Sequence, residues 1–132
     1  MATFIAHLKI FDGKEAEFET VARQIWEQTH RLEKDVLRYE YFRSQKPGHY
    51  YCLLSFKDYR SFMVHQTSDH HEAPDFGSLL ESNKLEWIDP VQGANELPPT
   101  EHQDLPDDAS ELAKRYSKDH GVVMQKWWSK LR

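Results

Sequence analysis

Apolar and polar positions alternate with period two at the start of the chain. Phe4, Ala6, Leu8 and Ile10 stand against Ile5, His7, Lys9 and Phe11, which predicts a strand with both faces partly apolar. Asp12-Gly13 marks a turn. From about Lys14 to Lys34 the period changes to three and four. Phe18, Val21, Ala22, Ile25, Trp26 and Leu32 form one helical stripe, and Glu15, Glu17, Glu19, Arg23, Glu27, Arg31 and Glu33 form a solvated face. A second strand is expected over about 36–44 and a third over about 49–56, joined by a hairpin through Lys46-Pro47-Gly48. The third strand is apolar on both sides, as a central strand should be. Asp58 is a good N-cap for a second helix with the stripe Tyr59, Phe62 and Met63. The helical run is expected to be broken near Pro74 and to continue into Leu79-Leu80. Leu85, Trp87 and Val91 then predict a fourth strand.

The order βαββαβ within residues 1–92 is the ferredoxin-like pattern, an antiparallel sheet with both helices on one face. The other face would expose Ile5, Phe11 and a row of the third strand, which is too apolar to stay wet. A homodimer that pairs two such sheets is the simplest cover. Residues 93–108 are acidic and proline-rich, with no Lys or Arg, and predict a linker or extended arm. Residues 109–132 are basic and carry two helical stripes, Ala109, Leu112, Ala113, Tyr116 and then Met124, Trp127, Trp128, Leu131. A tail with adjacent tryptophans is expected to dock on its own core or on a partner subunit.

Composition narrows the function classes. A net charge of −5 disfavours non-specific nucleic-acid binding. Cys52 is the only cysteine, so no intrachain disulfide can form, and this usage suits the cytoplasm. Neither a signal peptide nor a membrane span is legible. Gly-rich phosphate loops and G-x-S-x-G elbows are absent.

Four stretches carry a resemblance: IAHLKIFDGKEAEF, LRYEYFRS, the strand ending at Phe56 with Lys57-Asp58, and His65-Gln-Thr-Ser68-Asp69-His70-His71. In this order and spacing they resemble the antibiotic biosynthesis monooxygenase family, a dimeric α/β-barrel group. The resemblance covers about the first ninety residues. It departs at Leu53-Leu54-Ser55-Phe56, where the family often has Tyr-Glu-x-Trp, and at Asp69, where it has proline. It implies two ferredoxin-like protomers pairing as a barrel, each with a cavity between its own sheet and helices. Members include cofactor-free monooxygenases of polycyclic phenols and quinols, haem-degrading oxygenases and isomerases. The Asn, Trp and His of the haem-degrading branch fall on Ala6, His65 and Asp75, so that chemistry is disfavoured.

Cofactor-free oxygenation needs a base that makes the substrate anion, donors for the developing oxyanion, and a dry cavity. The resemblance points to His70 as the base, with His65 about one and a half turns earlier and His71 outside the site. Tyr39 and Tyr41, on one side of the second strand, supply hydroxyls, and Tyr39 joins the two histidines as a catalytic candidate. Trp26, Phe62 and Ala6 are expected to line the cavity with Tyr41. Each has a structural reading too: capping for His70, packing for His65, core for Trp26. His65, Asp69, His70, His71 and Glu72 lack a metal-ligand spacing, so no metal is expected, and no cofactor. The expected partners are a small aromatic substrate, dioxygen and a second copy of the chain. The alternatives are an isomerase or lyase in the same cavity, and a non-catalytic dimeric binding module that docks through the Trp-rich tail.

Overall fold

The computed structural model describes residues 1–132. Strands β1 (Ala2–Ile10), β2 (Val36–Arg43), β3 (His49–Phe56) and β4 (Leu80–Trp87) form one antiparallel sheet in the order β2-β3-β1-β4. Helices α1 (Glu15–Leu32) and α2 (Tyr59–Gln66) cover one face. Between α2 and β4 lie a single turn, α3 (Asp69–Glu72), and a 3₁₀ turn at Phe76–Leu79. This is the ferredoxin-like α+β arrangement. Within one chain the sheet is open, with β2 and β4 as edges.

Alternation along the strands sets the core. Phe4, Ala6, Leu8 and Ile10 of β1 and Tyr50, Cys52, Leu54 and Phe56 of β3 are all buried toward the helices. From α1 the buried residues are Phe18, Ala22, Ile25 and Thr29. Trp26 stands one position beyond that stripe and is 44% exposed, so the expected inner-stripe position is corrected. In α2, Asp58 Oδ1 accepts from the Ser61 amide at 2.8 Å and satisfies an otherwise orphaned helix N–H. Phe62 on that helix is fully buried against Phe4, Phe56 and Trp87, with ring centroids 4.7, 5.5 and 5.8 Å away.

The fourth strand starts earlier than its apolar residues suggest. Leu80 pairs with Ile10 and Trp87 with Phe4, whereas Val91 lies beyond the sheet and is exposed. The reason is that β4 is an edge strand. Its outer positions, such as Glu81, Lys84 and Glu86, are solvated, which hides the strand in a polar string. Leu79 and Leu80 close a 3₁₀ turn and open a strand instead of prolonging a helix.

The face away from the helices carries Ile5, Tyr51, Leu53 and Phe42 among polar residues. His7 is on this face, with Nε2 2.8 Å from Glu86 Oε2. The extended arm is strapped to the core. Pro99 O accepts from the N-terminal ammonium, Met1 O accepts from the Glu101 amide, and buried Thr100 Oγ1 donates to Ile88 O at 2.7 Å. Helix α4 (Glu111–Asp119) follows and packs on α2 within the same chain. The last stretch forms only a 3₁₀ turn at Trp128–Lys130 instead of a second helical stripe. Trp128 is buried there while Trp127 stays exposed.

Because Phe62 joins strand, helix and edge, Phe62→Ala should cost about 3–5 kcal/mol in a denaturant melt. A loss under about 1 kcal/mol would contradict a core role for this ring.

Candidate functional site

Helix α1 ends at Leu32, and Glu33 is its C-cap residue, its amide donating to Thr29 O. Helix α2 ends just beyond His65, and Ser68 Oγ ties that end down by donating to His65 O at 2.8 Å. These two helix ends meet. Glu33 Oε1 lies 2.9 Å from His65 Nδ1 and 2.6 Å from His70 Nε2. All three side chains are nearly or fully buried, at 9, 0 and 8% exposure. A carboxylate only accepts, so both imidazoles donate to it. In the neutral ring this puts the hydrogen of His65 on Nδ1 and makes Nε2 the acceptor. That Nε2 is buried and has no hydrogen-bond partner.

The ring of His65 forms part of the wall of a cavity of about 470 Å³ between the sheet and the α2–β4 connection. The floor is apolar: Phe4, Ala6, Leu8, Leu54 and Leu85. Tyr39 and Tyr41 stand in the same wall, Tyr39 edge-on to His65 with ring centroids 4.8 Å apart. Their hydroxyls are 2.8 Å from each other. One donates to the other, so one O–H of the pair remains free. Burial pushes both phenols well above their ordinary range, so both remain protonated donors. Burial likewise pushes the Cys52 thiol up, which keeps it a neutral part of the wall and not a nucleophile.

His71 also lines this cavity. Its ring is 4.8 Å from that of His65, and its Nδ1 is buried without a hydrogen bond. Burial, reinforced by the neighbouring His65, lowers its pKa from 6.5 to about 4, while Glu72 and Glu33 pull weakly the other way. His71 is therefore neutral at physiological pH.

The seven residues singled out from sequence fall into four places. Ala6, Tyr39, Tyr41 and His65 line the one cavity. His70 sits behind His65 on Glu33, away from the cavity wall, while His71, expected outside, is on it. Phe62 is core. Trp26 borders a separate trough of about 640 Å³ between α1 and the β2 edge. Arg43 and Tyr50 hydrogen-bond Glu19 in that trough and hold its carboxyl down at about 2, so its charges are already matched. Glu33, His71, Tyr116 and His120 are the site residues that sequence reasoning missed. Glu33 looks like one more acid of the solvated face of α1, and no periodicity distinguishes it.

Glu33, His65 and His70 also bring three ligand-type atoms within 4.8 Å of one another. Direct hydrogen bonds already account for this approach.

The antibiotic biosynthesis monooxygenase family model matches residues 1–73. Among solved structures, a Caulobacter crescentus protein provisionally named an antibiotic biosynthesis monooxygenase is 26% identical with TM-score 0.64. The alignment covers 68% of this chain and 89% of that one. Another antibiotic biosynthesis monooxygenase is 23% identical with TM-score 0.62, over 69% of this chain and 99% of that one. A Bacteroides thetaiotaomicron protein with the same provisional name is 16% identical with TM-score 0.66, over 73% and 94%. The last two speak for the fold alone. No curated protein matches the chain.

The depressed pKa of His71 has a consequence for stability. Between about pH 4 and pH 6.5 the unfolded chain protonates this ring and the folded chain does not. Its contribution is therefore complete above pH 6.5 and lost as pH falls toward 4. Urea melts across this range should show a declining midpoint, and His71→Asn should flatten the decline. An identical slope in the variant would assign the loss to other groups.

Proposed function

The chain belongs to the antibiotic biosynthesis monooxygenase family, and from that premise we propose that it is a cofactor-independent monooxygenase of a small hydroxylated aromatic or quinol. The observation that carries the reading is His65, a residue of the cavity lining whose buried Nε2 has no hydrogen-bond partner and whose Nδ1 is backed by Glu33.

In this reading the phenol sits on the apolar floor with its hydroxyl toward His65. Nε2 takes the phenolic proton, and the imidazolium that forms is stabilised by the Glu33 carboxylate. The free tyrosine O–H donates to the phenolate oxygen. The phenolate passes one electron to dioxygen, and the two radicals join at a ring carbon as a peroxide. Loss of the C–H proton and cleavage of the O–O bond leave a carbonyl at that carbon. The departing hydroxide takes the proton held by His65 and leaves as water. One phenol and one dioxygen thus give one quinone and one water. The substrate is its own reductant, so the balance needs no further co-reactant. His70 is a positioning residue: its N–H shares Glu33 with His65 and fixes the carboxylate from behind.

The lining also limits the substrate. It includes Glu72 and Asp75 but no Lys or Arg, which suits a neutral ring system and disfavours a carboxylate or phosphate. The wild-type chain with 1-naphthol should consume oxygen and form a naphthoquinone, whereas 1-hydroxy-2-naphthoate should react poorly. His65→Asn should lower kcat by about 10²–10⁴-fold with the fold retained. Turnover that is equal with and without oxygen would sink the reading and favour an isomerase using the same base.

The apolar residues on the outer sheet face support a homodimer as the working form. In this reading Ile5, Tyr51 and Leu53 meet a second copy. Light scattering should give twice the chain mass, and Leu53→Lys should yield a monomer. A monomeric wild type would remove this part of the reading.

A further inference from the structure

The alignment to the Caulobacter protein uses 68% of 132 residues, about ninety, which is the length from β1 through β4. The family model ends at residue 73. Helix α4 lies beyond the residues the family model matches, yet Tyr116 of α4 and His120 at its C-cap line the cavity that holds His65. We propose that α4 completes the substrate site, with Tyr116 and His120 as ligand-contacting residues that set which ring systems are accepted. This rests on the reading of the cavity as a phenol site.

Helix α4 is held in place independently of any ligand. Ser110 Oγ caps its start by accepting from the Ala113 amide at 3.1 Å. Ala113 is buried. Tyr59, itself buried in α2, donates its hydroxyl to Ser117 Oγ at 2.9 Å and approaches His120 O at 3.4 Å. Beyond the helix, Arg132 anchors the chain end with charge-assisted bonds to Asp89 and to Thr100 O. These contacts fall on the side of α4 that packs on the core. Tyr116 also packs against the edge of the core. The rings of Tyr116 and His120 stack on each other at 6.1 Å with an interplanar angle of 19°, and the Tyr116 hydroxyl donates to Glu72, another cavity residue. The imidazole of His120 makes no hydrogen bond within the chain. Its pKa is lowered by burial, so it can meet a neutral ligand uncharged.

The stacked pair adds an aromatic surface to a cavity whose floor is apolar. Such a surface recognises a planar ring by stacking and excludes water from the base. Without α4 the cavity would open to solvent at Tyr116 and His120, and the anion made by His65 would lose its dry surroundings.

The test is anaerobic equilibrium dialysis of 1-naphthol against the full-length wild type, Tyr116→Ala and His120→Ala, with thermal melts and aerobic oxygen uptake on the same samples. Each variant should bind 1-naphthol about five- to tenfold more weakly with its melting temperature little changed. Tyr116→Phe, which keeps the stack and loses the Glu72 bond, should bind within about twofold of wild type. Equal binding by wild type and both alanine variants overturns the inference, whatever the oxygen result. Wild-type binding that weakens in the variants but drives no oxygen uptake supports α4 as part of the site and overturns the monooxygenase reading. If the wild type does not bind 1-naphthol, both fall. Should either alanine variant melt early, Tyr116→Leu and His120→Gln give the same comparison with the helix kept packed, and unchanged binding in both overturns the inference.

Discussion

One carboxylate oxygen, Oε1 of Glu33, joins the parts of this molecule that matter for its chemistry. It accepts from His65 at the end of α2 and from His70 in α3, and it belongs to the cap of α1. A carboxylate this deeply covered survives only if its lone pairs are met by donors, because burial penalises an unpaired charge heavily. Two imidazole N–H groups meet that demand. In doing so they hold the ring of His65 in place through Nδ1 and leave its other nitrogen without a partner. The ends of three helices are therefore brought together by an electrostatic requirement as well as by packing.

The aromatic residues divide into two populations around that junction. Phe4, Phe56, Phe62 and Trp87 pack edge-to-face and tilted, and fill the space under α2. Tyr39 and Tyr41 stand on the same face of the sheet but on the β2 edge, against α1, and they line the cavity together with the turns from His71 to Gly77. Pro74 and the last residues of the short α3 supply part of that lining.

Much of this was legible in the chain itself. The third strand, the cap at Asp58 and the ferredoxin-like order follow from period and turn chemistry alone. The histidine-rich end of α2 and the tyrosines of β2 stood out by residue type. The weights among them did not. His70 matched a motif but faces Glu33, and His65, which read as a packing residue, carries the free nitrogen. Trp26 fitted the helical stripe by spacing yet lies at its margin, since a stripe of period 3.6 has edges that spacing cannot locate. The polar start of β4 was invisible because an edge strand needs apolar residues on one side only.

The sequence by itself determined the elements, their order and the family, because these depend on local periodicity and on short motifs read along the chain. It also determined which residue types were available for acid–base work. The tertiary structure decided which of them meet. Glu33 and His65 are 32 positions apart, and Tyr116 is 44 beyond Glu72. No local rule links such pairs. Their meeting depends on where two helices end over a twisted sheet and on how a tail returns across it, and both are outcomes of packing the whole chain at once.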